Sequence, residues 1–236
     1  MTSTKTARTA ERAFEPELFS FLSDLRANNN RDWFAANKDR YESAVLEPAL
    51  AFIEDFAPHL AKISSHLRAD PRPSGGSLFR IYRDTRFSKD KTPYKTSVGV
   101  HFRHELAKDV HAPGFYLHLE PSAVFSGGGI WRPDTKTTTT IREAIAGDPE
   151  GWKHATRSKR FESRLELAGE TLKRPPAGFD PAHPLLDDLC RKDFFGSTSL
   201  TEQDACSAGF IETYAEICRA TKPLMQFLCK ALELPF

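Results

Sequence analysis

Between Ser77 and about Ile130 the apolar residues change from helical spacing to alternation, which restricts the chain to folds that carry a sheet in the middle. Three strands are predicted, over 78–84, 96–104 and 115–120, with a fourth near 123–126. The connections between them contain Pro93, Pro113, Gly114 and Pro121, residues that suit turns rather than helical crossovers. Strands joined by turns pair antiparallel. The flanks return to helical spacing. Leu18, Leu22 and Leu25 follow Pro16, and the run Asn28-Asn29-Asn30 then makes a turn. A second helix carries Phe34, Tyr41 and Val45, and a third, begun or kinked by Pro48, carries Leu50, Ile53, Phe56 and Leu60. In the C-terminal half, Thr140 with Glu143 and Ser199 with Glu202 have capping-box spacing, and Pro149 suits a helix start. The pattern from Phe210 to Leu228 predicts a long helix, kinked at Pro223. The expected fold is α+β, a single domain over 14–236 with a central antiparallel sheet packed on N- and C-terminal helices.

Residues 1–13 are polar, without an apolar run, and read as a disordered tail. No apolar run approaches the ~20 residues that a membrane span needs, so a soluble, cytoplasmic protein without a membrane partner is expected. The four cysteines, Cys190, Cys206, Cys218 and Cys229, have no CxxC spacing and read as reduced thiols packed on helices. Eighteen Phe residues against two Met argue for a rigid aromatic core.

Charge is distributed unevenly. The segment Leu78–His104 holds seven Arg and Lys residues and two Asp residues, about +5, in a chain whose net charge is +1. The rest therefore carries about −4, and such a local excess marks a surface that meets anions. Splitting the strands by alternation gives two lists. Phe79, Ile81, Val98, Val100, Phe102, Phe115, Leu117 and Leu119 form an apolar face for the helices. Arg80, Tyr82 and Asp84, with Ser97, Gly99, His101 and Arg103, and Tyr116, His118 and Glu120, fall on the other. A solvated sheet face carries Thr, Lys, Glu and Ser; this one carries planar donors, phenols and imidazoles. The adjoining loop adds Arg86, Lys89, Lys91 and Lys95, and Arg83, near the end of the first strand, joins the candidate ligand-binding set. A small phosphorylated or carboxylated ligand fits such a face, held by Arg80, Arg103 and Lys95 and touched by Tyr82 or Tyr116. The plainer alternative is that Arg80 and Arg103 only pair with Asp84 and Glu120 across strands.

His118 and Glu120 form an H-x-E step on one strand face. It fits a His oriented by a carboxylate for acid–base work, and equally two ligands of a metal site with His101 as third. No P-C-x-x-C accompanies it, which removes the zinc-deaminase reading. Ser126-Gly127-Gly128-Gly129 lacks every nucleotide-loop spacing and reads as a turn or bulge ahead of Trp131, with an anion nest as the alternative. Lys173, before Pro175-Pro176, lies either in a surface linker or in a loop that docks on the sheet and adds to the basic site. A binding module for nucleic acid or an acidic protein is the rival to the small-ligand reading. It would stack bases on exposed rings, although a net charge of +1 is low for such a module.

The words NNNRDWF (28–34), SLFRIYRDTRFSKDKTPYKTSVGVHFRH (77–104), APGFYLHLEP (112–121), GGGIWRPD (127–134) and LKRPPAGFD (172–180) resemble the family known as domain of unknown function 2461. The resemblance runs in order from about Phe14 to the C-terminus. It implies a single domain and brings no catalytic or cofactor role to any residue, so the site rests on the side chains themselves.

Overall fold

A computed structural model of the chain describes residues 12–106 and 112–236. The expected tail lies almost wholly outside the described residues. The chain opens with α1 (Pro16–Ala27), α2 (Arg31–Ala36), α3 (Lys38–Tyr41), a π-helical turn (Glu42–Leu46) and α4 (Glu47–Ile63). Pro16 sits in the first turn of α1, where its missing N–H costs nothing. Asn30 caps α2 by accepting from the Trp33 N–H. The inner stripe of α4 is Ala49, Phe52, Ile53, Phe56, Leu60 and Ile63, a helical repeat that buries every member; Leu50 lies at its margin.

Strands β1 (Val98–Arg103), β2 (Gly114–Glu120) and β3 (Ala123–Ile130) form an antiparallel meander. Helices α5 (Thr135–Gly147), α6 (Pro149–Arg157) and α7 (Lys159–Glu162) then lead to β4 (Glu166–Ala168). The chain closes with α8 (Leu186–Leu189), β5 (Phe194–Leu200), α9 (Glu202–Ala205) and α10 (Phe210–Ala231). The sheet has the order β1-β2-β3-β5-β4 with every pair antiparallel, so the fold is α+β as expected.

Several expected elements differ. Residues 78–84 form no ladder. Ser77 accepts from the His101 N–H and Phe79 donates to Gly99, but the chain bends away after Phe79, leaving only isolated bridges at Leu78 and Tyr82. The alternation there consequently breaks. Leu78 enters the core, whereas Phe79, expected on the core face, lies beside Gly99 on the opposite face. The three glycines after Ser126 form no turn, because β3 runs through them to Ile130. β4 and β5 occupy a stretch read as helical. Ser199 is a strand residue, and the capping box belongs to Thr201 with Asp204. α5 starts at Thr135, capped by Asp134, rather than at Thr140, and α10 continues unbroken through Pro223.

One face of the sheet is the core floor. Val100, Phe102, Phe115 and Leu117 pack on α4 and α10 through Phe52, Phe56 and Tyr214, as in the Phe56–Phe102 contact at 5.0 Å. Each such buried side chain contributes about 1.5–3 kcal/mol. A second cluster, around Trp152, Ile141, Leu189 and Phe194, fills the space under α5, α6 and α8. No helix of the structure is long and apolar enough to cross a membrane.

Candidate functional site

The other face of the sheet holds a cavity of about 390 Å³ that, among the described residues, is lined by none from a helix. Its walls are Phe79, Tyr116, Phe125, Trp131 and Phe195, and Gly114, Gly127 and Gly129 form part of its floor. The concavity follows from the sequence: on one face of the neighbouring strands, rings stand beside positions that carry only a hydrogen. Gly129 also has φ +138°, a conformation that only glycine adopts readily.

A polar chain runs along one wall. The Tyr116 hydroxyl lies 3.0 Å from His118 Nδ1, and His118 Nε2 lies 3.1 Å from Glu120 Oε2. Glu120 Oε1 accepts in turn from Arg26 Nη2 at 2.9 Å and from Thr96 Oγ1 at 3.1 Å. These partners decide the proton positions. A carboxylate pinned by a guanidinium accepts, so His118 carries its proton on Nε2, and Nδ1 accepts from the phenol. Residues i, i+2 and i+4 of one strand thus form a line from phenol to carboxylate, as the period of two requires. The His118 ring is stacked on Phe125 at 4.5 Å, which fixes its plane. Gly99, opposite His118 in the register, makes the line possible. A Cβ there would stand 2.8 Å from the Tyr116 oxygen and 2.9 Å from the Phe79 ring. Burial, with Glu120 nearby, pushes the Tyr116 phenol up to about 12, so it is a neutral donor.

His101 lines the cavity deeper down and is only 6% exposed. Burial, with Arg103 close by, lowers it to about 4, and its Nδ1 has no hydrogen-bond partner among the described residues. The metal arrangement does not form, because both ring nitrogens of His118 are engaged by Tyr116 and Glu120. Among the described residues no group of three His, Cys, Asp or Glu side chains is placed to hold a metal ion.

The basic residues are not gathered on this face. Lys95 is nearest, with Nζ 5.3 Å from the centre of the Phe79 ring; burial and then Arg80 lower its pKa. Arg103 donates to the Gly75 carbonyl at 3.1 Å, and Arg80 is exposed beside Phe79. The expected cross-strand pairs are absent, since Asp84 binds Arg86 at 2.7 Å and Glu120 binds Arg26. Arg83 binds Asp90 and Thr92. Lys91 donates to the Thr85 carbonyl at 2.8 Å, and Lys89 is exposed. Tyr82 packs on Tyr94 at 5.4 Å and lines a separate cleft of about 500 Å³ with Arg31, Lys38 and Arg83. Lys173 is exposed in the loop after β4, at the sheet edge remote from β1.

Sequence reasoning missed Arg26, Thr96, Phe79, Phe125, Trp131 and Phe195. Phe125 was within reach, since the β2–β3 register sets it opposite His118. Arg26 was not, because it arrives from α1, 94 residues away in the chain. Asn29 belongs to the same framework. Its side chain donates to the Tyr94 carbonyl at 3.0 Å and accepts from the Tyr94 N–H at 3.1 Å, which holds the basic segment against the α1–α2 turn.

Neither the curated proteins nor the solved structures compared with the chain hold a match to it. A family model described as conserved hypothetical protein (DUF2461) matches residues 17–227. That span contains every strand and every residue of the Tyr116–His118–Glu120 line, and the chain belongs to this family.

Proposed function

We propose that this sheet face binds a planar group bearing carboxylate or phosphate, and that the Tyr116–His118–Glu120 line accepts a proton from it. The observation that carries this reading is a fully partnered polar line on the wall of an open, ring-lined cavity. A sheet face gains little stability from such an arrangement, whereas a bound ring gains apolar contact from the rings that line the cavity. Lys95, next to Phe79 and without an ion pair among the described residues, is the partner for the acid group. In proton transfer the Tyr116 oxygen takes the ligand's proton as its own passes to His118 Nδ1. Glu120, held by Arg26 and Thr96, then stabilises the imidazolium. The phenol, being neutral, conducts the proton without holding charge in the resting state.

The test is a thermal-shift panel of aromatic carboxylates and phosphate monoesters. A ligand at a hundred times its dissociation constant adds ~2.7 kcal/mol, a rise of roughly 5–10 °C at this size. Phe125→Ala and Lys95→Met should each abolish the rise, whereas His118→Gln should keep binding and lose proton exchange from the bound ligand. A panel without hits, or hits indifferent to Phe125→Ala and Lys95→Met, overturns the proposal.

A further inference from the structure

Resting on that reading, and giving its ligand a class, we infer that the planar group is a nucleobase and the acid a row of phosphates, so that the face takes a segment of single-stranded nucleic acid. The basic segment carries charge that no ion pair among the described residues neutralises, although Asp84 lies near Arg80 and Asp70 near Arg103. Both acids of the segment Leu78–His104 are used up locally, Asp84 by Arg86 and Asp90 by Arg83. Arg80, Lys89, Lys91, Lys95 and Arg103 are left without an ion pair among the described residues. One carboxylate or phosphate is satisfied by one or two cations, whereas five along one stretch of chain match a polyanion.

Their position relative to the rings completes the match. Arg80 follows Phe79, Lys95 Nζ lies over its ring, and Arg103 ends the edge strand β1, two residues beyond His101. Arg80, Lys95 and Arg103 thus lie on the β1 side of the sheet, and Tyr116, Phe125 and Trp131 line the cavity beside them. That is the division of labour a single strand requires, phosphates on the rim and bases over the rings. Outside the cavity Phe87 is 95% exposed, with the Arg86 guanidinium 5.8 Å from its ring centre. A stacked base would remove that ring from water. Ring faces accept any base, so binding is tolerant of sequence. A duplex, whose bases are already stacked and paired, is excluded. An acidic peptide would use the cations and leave the rings uncovered.

The experiment is fluorescence anisotropy with a labelled mixed-sequence 12-nucleotide strand, as RNA and as DNA, at 50 and 200 mM KCl. Its competitors are the corresponding duplex, polyglutamate and a free nucleoside monophosphate. Wild-type protein should bind the strand and lose roughly a hundredfold in affinity between the two salt concentrations, as five phosphate contacts at ~0.7 per contact dictate. Replacing the exposed Arg80, Lys89 and Lys91 together by Ala should weaken binding at least tenfold and flatten the salt slope. Trp131→Ala should weaken it several-fold with the slope unchanged, since a ring carries no counterion. The inference is overturned if neither strand binds, if duplex or polyglutamate competes as well as the strand, or if Trp131→Ala and Phe125→Ala leave affinity unaltered. It is also overturned if the monophosphate alone binds as tightly as the strand. Should the strands fail while a planar acid still raises the melting temperature, the cavity reading survives and only the nucleic-acid class falls.

Discussion

His101 and His118 share one sheet face, and their surroundings separate their chemistry. His118 has a carboxylate on one nitrogen and a phenol on the other, whereas His101 lies beneath Phe79 and Tyr116 with Arg103 as its charged neighbour. Burial therefore keeps His101 neutral, near 4 against an ordinary value of about 6.5. A depressed pKa stabilises the fold above the unfolded value and loses that contribution as the pH falls toward the folded one, because the unfolded imidazole then takes up a proton that the folded one refuses. Between pH 7 and pH 5 the loss amounts to about 2 kcal/mol. His101→Leu should abolish this part of the acid sensitivity, seen as urea midpoints that differ less between the two pH values than in wild type. Equal differences in the two proteins would show that His101 is not the titrating group.

Strand register, rather than any single residue, creates the site. Gly99 in β1 leaves the space into which the Tyr116 hydroxyl of β2 projects, next to the His118 that faces Gly99 across the ladder. Gly99→Ala should thus push the phenol and the Phe79 ring aside. The expected cost is about 1 kcal/mol, since overpacking is partly offset by the smaller backbone entropy of Ala. It should also shift the ¹⁵N resonance of His118 Nδ1 as its donor departs. An unmoved resonance would show that the phenol reaches His118 without needing that space. At this scale the sequence was only partly legible. β1 and β2 announce themselves because VGVHFR and GFYLHLE alternate apolar residues with Gly, His, Arg, Tyr and Glu, although in β1 only Arg103 is less than buried. β5, FFGSTSL, mixes Phe194 and Phe195 with small polar residues and gives no period, because α10 covers one of its faces while the other borders an open cavity. The segment after Ser77 misled for the opposite reason. It alternates like a strand, but Arg83 and Tyr82 are drawn to Asp90, Tyr94 and the cleft beside α2, so the chain leaves the edge of β1 after two hydrogen bonds. Contacts between distant segments, such as Arg26 on Glu120, leave no local pattern at all.

Across the whole molecule, two apolar clusters are tied together by the elements that frame the cavity. α10 sends Tyr214, Cys218 and Met225 into the cluster shared with α1 and α4, and Ile217, Leu224 and Leu228 into the one around Trp152. β3 does the same with Val124 and Ile130. Unfolding either cluster strips α10 and β3 of half their packing, so the two should melt as one unit. Ile53→Ala and Ile141→Ala sit in different clusters, and each removes about 2–5 kcal/mol by leaving a void in a tight core. Both should therefore lower the same urea transition, with circular dichroism and tryptophan fluorescence coincident in each variant. Two separable transitions would show that the clusters are independent. The coupling bears directly on the site. The cavity has Phe79 and Tyr116 on the β1–β2 side and Phe195 and Ser197 on the β5 side, so it exists only while both clusters are folded. A ligand seated there binds across the seam, and its stabilisation should appear undiminished in both variants, because the folded state that it selects is the same. A ligand that rescued only one of them would instead place its contacts on one side of the sheet.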